Sequence, residues 1–382
     1  MHYDYPDHVF VDLVPEQFGP LDTTVARYRG LVATAFRYRS GVAGLRISNA
    51  KGEIVMLPFQ GQQIWDATFL NRSLTMRSMF DEPVATRDYL SNYGAFFIHC
   101  GATAMGNPGP DDHHPLHGDL PNAPYGDVQL IIGDNAEGPF MALTGRCRQT
   151  VAFSHDYVTQ PTVRLQHDAT GVAVDIAITN LKRSAMELMY LAHINFRPAD
   201  DGRLVDSVVD DDADIIVRQV LPAFFKPSES YLAYRDAIVA DPSRHRTLTK
   251  NEPIDPELVL TMKAKADAEG WAHALQVHPD QTADFVSFRP SELNYAVRWI
   301  TRGADQDALG LVLPATAEPD GYLAAKERGR LVRVAPEGVF RCTLRFGAMD
   351  ADMAAKQEGM ISRVRAAGTQ AASPQTPPAP RG

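Results

Sequence analysis

The hydrophobic and polar positions of this chain alternate over many short stretches. Such period-two runs, rich in Val, Ile, Thr and aromatic residues and closed by Gly, Asn, Asp or Pro, are typical of half-buried β-strands. Three pairs of runs flank short polar turns at residues 50–52, 134–135 and 168–171, and each pair predicts a β-hairpin. The run at residues 187–196 is predicted to extend the third hairpin as a meander, and residues 336–338 are predicted to join a further hairpin.

Helical patterns are few and short, and the best candidates are residues 83–92, 229–239 and 349–366. None stands between strands in the alternating order of a parallel α/β sheet. The sequence therefore predicts an all-β fold. We expect about fifteen strands in antiparallel sheets that form a large twisted sandwich, with one concave face free to bind a ligand.

The organisation of the chain predicts a single domain over residues 1–365. Its 382 residues are 45% hydrophobic and 22% charged, so the chain can bury a large core, and no internal break divides it. Residues 366–382 are rich in Pro, Ser and Ala and are predicted to form a disordered tail. Residues 198–251 are charged and weakly patterned, and are predicted to run over the surface or over the mouth of a site.

Charge and cysteine content narrow the possible partners. The formal net charge is −10 without a dense Lys/Arg run, so nucleic acid and anionic membranes are poor candidates, and a small-molecule ligand is expected. Cys100, Cys147 and Cys342 show no CxxC spacing, which argues against a disulfide framework or a thiolate zinc site. The polar N-terminus and the lack of a long apolar run predict a cytoplasmic protein without an anchor. No cofactor is predicted, and the oligomeric state is left open.

Candidate chemistry is densest at residues 97–125, which hold four of the twelve histidines among many Gly and Pro residues. Such a segment forms an irregular but rigid loop that holds side chains at fixed angles. His114 and His117 can converge there, and Asp119 can hydrogen-bond an imidazole or a sugar hydroxyl. Together with another histidine such as His193 they also offer ligands to a divalent metal, although their spacing matches no diagnostic metal motif. Alternatively, these histidines satisfy buried loop carbonyls.

A second group of residues suits carbohydrate recognition. Aromatic rings cover the apolar face of a pyranose, and Arg, Asn and Gln donate to neighbouring hydroxyls. His193 ends an apolar strand, so it is either a core residue or part of a pocket, and Trp299 is a candidate stacking surface. The predicted substrate-binding residues are His114, Asn122, Gln63, Trp65, Arg72, Arg77, Arg298 and Asn195. For each of them the alternative is a place in the core or in a surface ion pair.

Five segments stand in order within roughly residues 40–350, namely GQQIW, HCG, HPLHGDLPNAP, AHINF and GLVLPATAEPDG. Together they resemble the aldose 1-epimerase (galactose mutarotase-like) superfamily, and more closely a bacterial branch of unassigned substrate. The resemblance implies a β-supersandwich fold that binds a carbohydrate. In that family a strand histidine is the general acid toward the ring oxygen, and a histidine in an LHG loop holds the substrate. The resemblance assigns these roles to His193 and His117.

The resemblance leaves the catalytic base open. The family's glutamate, which removes the anomeric proton, usually stands just before a Pro-containing turn, and this chain has Leu313 at that point. Leu313 cannot take a proton. Asp119 stands where relatives usually carry Glu, which shortens the side chain by one carbon. Asp119 and Glu318 are therefore the two carboxylates predicted as substitutes.

Three functions are compatible with these observations. The first is an aldose 1-epimerase (mutarotase) or related sugar epimerase that uses His193, His117 and a substitute base. The second is another sugar-converting enzyme, an isomerase or lyase, in which His114, His117 and Asp119 bind a divalent metal. The third is a carbohydrate-binding protein without turnover, because the usual base is missing. Fold alone does not decide among them.

Overall fold

The computed structural model of the chain describes residues 8–208, 215–222 and 225–372, with side chains up to residue 367. Within these residues the backbone forms twenty-three β-strands, all of them paired antiparallel, and few helices. The prediction of an all-β antiparallel fold is confirmed. The number of strands is larger than predicted, in part because four of the strands have only two or three residues and are too short to show an alternating pattern.

The strands of the first half of the chain are β1 (Val9–Leu13), β2 (Thr23–Tyr28), β3 (Leu31–Arg37), β4 (Ala43–Asn49), β5 (Gly52–Met56), β6 (Ile64–Phe69), β7 (Arg72–Ser73), β8 (Phe97–Ala102), β9 (Gly126–Asn135), β10 (Gly138–Val151), β11 (His155–Gln166) and β12 (Gly171–Asn180). Those of the second half are β13 (Met186–Ile194), β14 (Gly202–Asp206), β15 (Ile215–Val217), β16 (Thr247–Leu248), β17 (Leu258–Met262), β18 (Ala272–Val277), β19 (Ala283–Phe288), β20 (Tyr295–Arg302), β21 (Asp307–Ala315), β22 (Val332–Val334) and β23 (Val339–Met349).

The strands form one ten-stranded and one thirteen-stranded sheet in the described part of the chain. The order in the first is β1-β9-β10-β11-β12-β23-β19-β18-β14-β16. The order in the second is β15-β17-β20-β21-β13-β8-β6-β5-β4-β3-β2, with β22 paired to β13 and β7 to β6. Both sheets therefore combine strands from the two halves of the chain.

Local turn chemistry explains the hairpins. The β4–β5 pair runs in register from Leu45 opposite Met56 to Asn49 opposite Gly52, and the Asn49 amide oxygen accepts from the backbone N–H of Lys51 at 2.8 Å. Hairpins β9–β10 and β11–β12 also form at the predicted turns. An Asx-type bond of this kind favours the turn in the sequence itself, so these hairpins were predictable.

Two predicted pairings are wrong. Strand β13 does not extend the meander of β11 and β12 but pairs with β8 in the other sheet. Strands β22 and β23 do not form a hairpin, because β22 pairs with β13 and β23 lies between β12 and β19. The alternating pattern of a strand is the same in either sheet, so it does not encode the partner.

The helices lie outside the two sheets. They are α1 (Glu229–Ala240), α2 (Tyr322–Glu327) and α3 (Ala351–Ala372), with 3-10 turns at Pro15–Gln17, Leu90–Asn92 and Pro242–Arg246. Two predicted helices are found as α1 and α3, whereas residues 83–92 contain only a 3-10 turn. Helix α3 continues to residue 372, past the predicted start of the tail at 366, and residues 373–382 lie outside the described part. None of the described helices has the length and apolar character needed to cross a membrane.

The core lies between the sheets. Phe97 of β8 meets Phe346 of β23 at a ring-centroid distance of 5.2 Å, and one hydrophobic cluster joins residues of both sheets. A buried ion pair crosses the same space, since Arg298 Nη2 of β20 lies 2.9 Å from Asp206 Oδ2 of β14. Cys100, Cys147 and Cys342, named above, are buried free thiols. The division into one domain over residues 1–365 stays a prediction.

Candidate active site

A cavity of about 310 Å³ lies on the face of the thirteen-stranded sheet that points away from the other sheet. Because Arg298 reaches Asp206 in the ten-stranded sheet, its neighbours Val297 and Trp299 face the opposite way. Val297 is paired with Leu313 of β21, which therefore lies on the same face. The residues that line the cavity include Tyr89, Tyr93, Asn107, Leu116, His117, Leu191, His193, Arg218, Asp255, Glu257, Val259, Val297, Trp299, Thr301, Gln306, Leu313 and Pro319.

His193 is held in a defined orientation at the end of β13. Its Nδ1 lies 2.7 Å from Asn195 Oδ1, and Asn195 Nδ2 donates to the carbonyl of Ala95 at 2.9 Å. That second bond fixes which end of the amide accepts, so His193 Nδ1 carries the hydrogen and Nε2 presents its lone pair. Burial lowers the pKa of His193 to about 4, and the bond to Asn195 opposes the shift only in part. The imidazole is therefore neutral at pH 7.

His117 enters the cavity from a strained loop. Its φ angle is 59°, in the left-handed region, and the loop is held there by bonds from His117 N to Gly106 O (3.0 Å) and from Gly101 N to His117 O (2.8 Å). The next residue, Gly118, also has a positive φ of 81°, and a Cβ there would collide with the carbonyl of Ala104. Such strain persists only where the surroundings enforce it, and it is common at functional sites.

The two imidazoles face each other. The rings of His117 and His193 are 5.5 Å apart between centroids and nearly perpendicular. Burial, followed by the nearby His193, lowers the pKa of His117 well below its usual range. His117 Nδ1 is buried without a hydrogen-bond partner among the described residues. The site thus holds two neutral imidazoles, and that of His117 has unused hydrogen-bonding capacity, a costly arrangement for a purely structural core.

Aromatic side chains surround the two imidazoles. Trp299 lies 5.4 Å from the His193 ring and 5.9 Å from the Tyr93 ring, and Tyr89 lies 4.9 Å from the His117 ring. Tyr93 Oη is 3.4 Å from His193 Nε2. Burial raises the pKa of both tyrosines well above the usual range, so both hydroxyls stay protonated.

A charged pair closes the side of the cavity near β15 and β17. Arg218 forms an ion pair with Glu257, and the indole N–H of Trp299 donates to Glu257 Oε2 at 2.6 Å. Tyr231 of α1 donates to the backbone carbonyl of Glu257 at 2.6 Å. Arg218 belongs to residues 198–251, the stretch predicted to run over the surface or over the mouth of a site.

The structure brings four of the predicted residues to this site, one of which is the candidate stacking residue Trp299. His193 and His117 line the cavity, and Asn195 lies directly behind His193. Leu313, which the resemblance puts at the place of the family's glutamate, also lines the cavity. Glu318 does not, because it turns into a neighbouring cavity where it pairs with Arg330.

Asp119 and His114 lie outside the cavity lining. Asp119 Oδ2 accepts from the Thr103 hydroxyl and, at 3.3 Å, from the Tyr157 hydroxyl. His114 Nδ1 lies 2.8 Å from the carbonyl of Pro115. No group of three or more His, Cys, Asp or Glu side chains within the described ranges is placed to hold a metal ion. The structure thus does not bring His114, His117 and Asp119 together as a ligand set.

The side chains of the other predicted substrate-binding residues contact other groups of the protein and do not line the cavity. Asn122 accepts from Gln63 at 2.9 Å, and both amides are buried. Trp65 is 6% exposed, and its ring packs where a Cβ on Gly94 would lie. Arg298 is fully buried and paired with Asp206, as described above. Arg72 forms an ion pair with Asp284, and Arg77 donates to the backbone carbonyls of Gly303 and Ala304.

Sequence reasoning missed the cavity residues Tyr89, Tyr93, Arg218 and Glu257. Tyr89 and Tyr93 fall in and just after a segment predicted as a helix, where an aromatic pair four residues apart is typical of core packing. Arg218 and Glu257 are far apart in sequence and meet only because β15 and β17 are neighbours. The aromatic content of residues 89–93 was the one available signal.

Comparison with models of known protein families identifies the family of this chain. A family model described as Domain of unknown function (DUF4432) matches residues 39–348. The chain belongs to the DUF4432 family. A comparison with curated proteins found no match to this DUF4432 sequence.

Solved structures similar to this DUF4432 chain share its fold. A "putative aldose 1-epimerase" from Klebsiella pneumoniae is 16% identical, with a TM-score of 0.77 over 94% of this chain and 96% of that one. Galactose mutarotase-like proteins from Clostridium acetobutylicum (14% identity, TM-score 0.56, 85% and 100% covered) and Lactobacillus casei (15%, 0.51, 80% and 99%) are also similar. The expected galactose mutarotase-like fold is thereby confirmed.

Proposed function

We propose that this protein is a carbohydrate isomerase of the aldose 1-epimerase (mutarotase) type, with His193 and His117 as its acid/base pair. The observation that carries the proposal is the pair of neutral, buried imidazoles that face each other at 5.5 Å inside the cavity. Ring opening of a hemiacetal needs one group that accepts a proton and one that donates it, on either side of the anomeric centre. A neutral imidazole offers a lone pair that accepts a proton and an N–H that donates a hydrogen bond, and once protonated it can return the proton.

The cavity suits a monosaccharide. A volume of about 310 Å³ falls at the lower end of the range for small-molecule sites. Trp299 and Tyr93 offer aromatic faces to the apolar side of a pyranose, and Asn107, Thr301 and Gln306 supply polar groups for its hydroxyls. The ion pair of Arg218 with Glu257 is compatible with a neutral ligand.

The orientation of His193 favours the role of base in the resting protein. Its Nε2 lone pair takes the proton of the anomeric hydroxyl, the bond between C1 and the ring oxygen breaks, and an aldehyde forms at C1. The departing ring oxygen accepts a hydrogen bond from His117 and takes up the proton from the His193 imidazolium, so that His193 is neutral again. Rotation about C1–C2 followed by the reverse transfers gives the other anomer. In giving its proton to the ring oxygen His193 acts as the acid, which is the role that the family resemblance implied.

A second candidate function is sugar binding without turnover. It is favoured by Leu313, which lines the cavity where the family's glutamate is expected. The carboxylate of Glu257 also reaches the cavity, but Arg218 and Trp299 occupy its oxygens. If a carboxylate base is indispensable, the protein binds a sugar and does not convert it.

The test is saturation-exchange proton NMR at the anomeric positions of a panel of aldoses, with and without a chelator. We expect catalysed α/β exchange that survives chelation and falls at least about 100-fold in His193→Gln and His117→Gln. His167→Gln, on a half-exposed histidine far from the cavity in the β11–β12 turn, is the matched control and is expected to retain exchange.

Folding of each variant is checked by circular dichroism. Sugar binding with no exchange in the wild type would replace the isomerase proposal by the binding function. Full exchange in both folded cavity variants would refute the role of the histidine pair.

A further inference from the structure

A second, smaller cavity of about 190 Å³ adjoins the site. Arg218, Val259 and Pro319 line both cavities, so these residues form the wall at which the two meet. We call the smaller one the side compartment. It is lined in addition by Ile216, Thr261, Glu318, Asp320, Arg328 and Arg330.

The side compartment continues the same sheet face. Thr261 of β17 is paired with Val297 of β20 on one side and with Ile216 of β15 on the other. Residues directly opposite each other in a sheet point to the same face. Because Val297 lines the main cavity, Thr261 and Ile216 extend that surface toward the sheet edge at β15.

Charges in the side compartment are balanced. Arg330 pairs with Glu318, and Arg328 pairs with Asp320 at 2.8 Å. Arg218, at the wall, pairs with Glu257. A phosphate or carboxylate would have to displace one of these carboxylates, so the lining favours a neutral group.

Two buried polar atoms of the residues that line the side compartment have no hydrogen-bond partner within the described part of the chain. They are the acceptor Glu318 Oε2 and the donor Arg218 Nε. Glu318 is only 8% exposed, and a buried polar atom without a partner is costly. A hydroxyl group both donates and accepts, so a hydroxyl-rich group suits a lining that offers the hydroxyl of Thr261 together with carboxylates and guanidinium groups.

We infer that the side compartment is a subsite for a second neutral sugar unit, and that the preferred ligand is a reducing disaccharide. Its reducing unit lies in the main cavity beside His193, and its second unit lies beyond Arg218. This inference rests on the proposed function, because it assumes that the reducing unit is the one converted.

The experiment compares anomeric exchange of the best monosaccharide substrate with that of reducing disaccharides that carry this sugar at the reducing end, in α and β linkages. We expect at least one disaccharide to exceed the monosaccharide in kcat/KM by about tenfold or more. Thr261→Phe, which fills the side compartment, is expected to remove that advantage. Thr261→Ser, which keeps the hydroxyl and adds no volume to the side compartment, is the matched control.

The outcomes separate the two claims. No exchange with any sugar would overturn the proposed function and this inference together. Exchange of the monosaccharide with no gain from a second unit would overturn the inference alone, as would a Thr261→Phe variant that lowers both substrates equally. If Thr261→Phe does not fold, Ile216→Trp makes the same test, because Ile216 is 57% exposed at the rim and tolerates a larger side chain.

Discussion

The protonation state of His193 gives the sharpest prediction. An unperturbed histidine has a pKa of about 6.5, whereas burial lowers that of His193 to about 4. If neutral His193 is the base, anomeric exchange should be constant from neutral pH down to about pH 5 and fall only as the pH approaches 4. A freely exposed histidine would lose half of its activity near pH 6.5.

The same shift affects stability, with a definite sign. Between pH 6.5 and 4 the unfolded chain binds a proton at His193 that the folded protein does not bind, so stability is lost as the pH falls through this window. At about 1.4 kcal/mol per pKa unit, His193 accounts for roughly 3 kcal/mol of that loss. Urea unfolding at pH 7 and pH 4.5 should show a smaller pH dependence in His193→Gln than in the wild type.

Replacement of Asn195 by Asp tests whether the side chain bonded to His193 Nδ1 influences the pKa of His193. A carboxylate at this place keeps an acceptor for His193 Nδ1 and adds a negative charge, which favours the imidazolium form. We expect the acid limb of the exchange profile to rise by about one to two pH units, and the ring nitrogens of His193 to titrate in parallel by nitrogen NMR. Asn71→Asp, an equal change at an exposed turn, should leave the profile in place.

An acid limb near pH 6.5 in the wild type would contradict the neutral-base assignment. So would an unchanged profile in a folded Asn195→Asp variant, because it would mean that the amide does not control His193.

Two further predictions concern residues that the sequence linked to the sugar. Arg298→Met should lower the free energy of unfolding in urea by about 3 kcal/mol, because it leaves the buried Asp206 without one of its partners; an equally stable variant that no longer binds sugar would instead restore the substrate-binding role. Leu313→Glu should raise the exchange rate by placing a carboxylate in the cavity, with Leu313→Gln as the uncharged control; a folded variant with no gain would show that position 313 is not where a base acts.

Much of the fold could be predicted from local sequence. Alternating runs and turn residues such as Asn49 produced the hairpins β4–β5, β9–β10 and β11–β12, since both ends of a hairpin are adjacent in sequence. The partners of β13 and β22 could not be predicted in this way. Strand β13 is buried on both faces, so its pattern fits the interior of either sheet and carries no information on its neighbours.

The candidate site was predictable only where a motif is local. His117 and Gly118 lie in the irregular loop that the Gly and Pro residues predict, and His193 bonds to Asn195 only two residues away. Arg298 shows the opposite case. Its place on an aromatic-rich strand suggested a ligand contact, but the neighbouring sheet supplies Asp206 from 92 residues away.

The sequence by itself determined the all-β class and the local hairpins, and it singled out His117 and His193. Each of these inferences depends on a short segment, whose residues lie within a few positions of one another. Only the tertiary structure decided which polar residues share a cavity. Tyr93, Arg218 and Glu257 join His193 because strands and loops distant in sequence are brought side by side in one sheet. Asp119 and Glu318 are turned elsewhere, because a neighbouring hydroxyl and a neighbouring guanidinium bind their carboxylates. Side-chain direction and strand partnership are properties of the packed sheets, and no local pattern contains them.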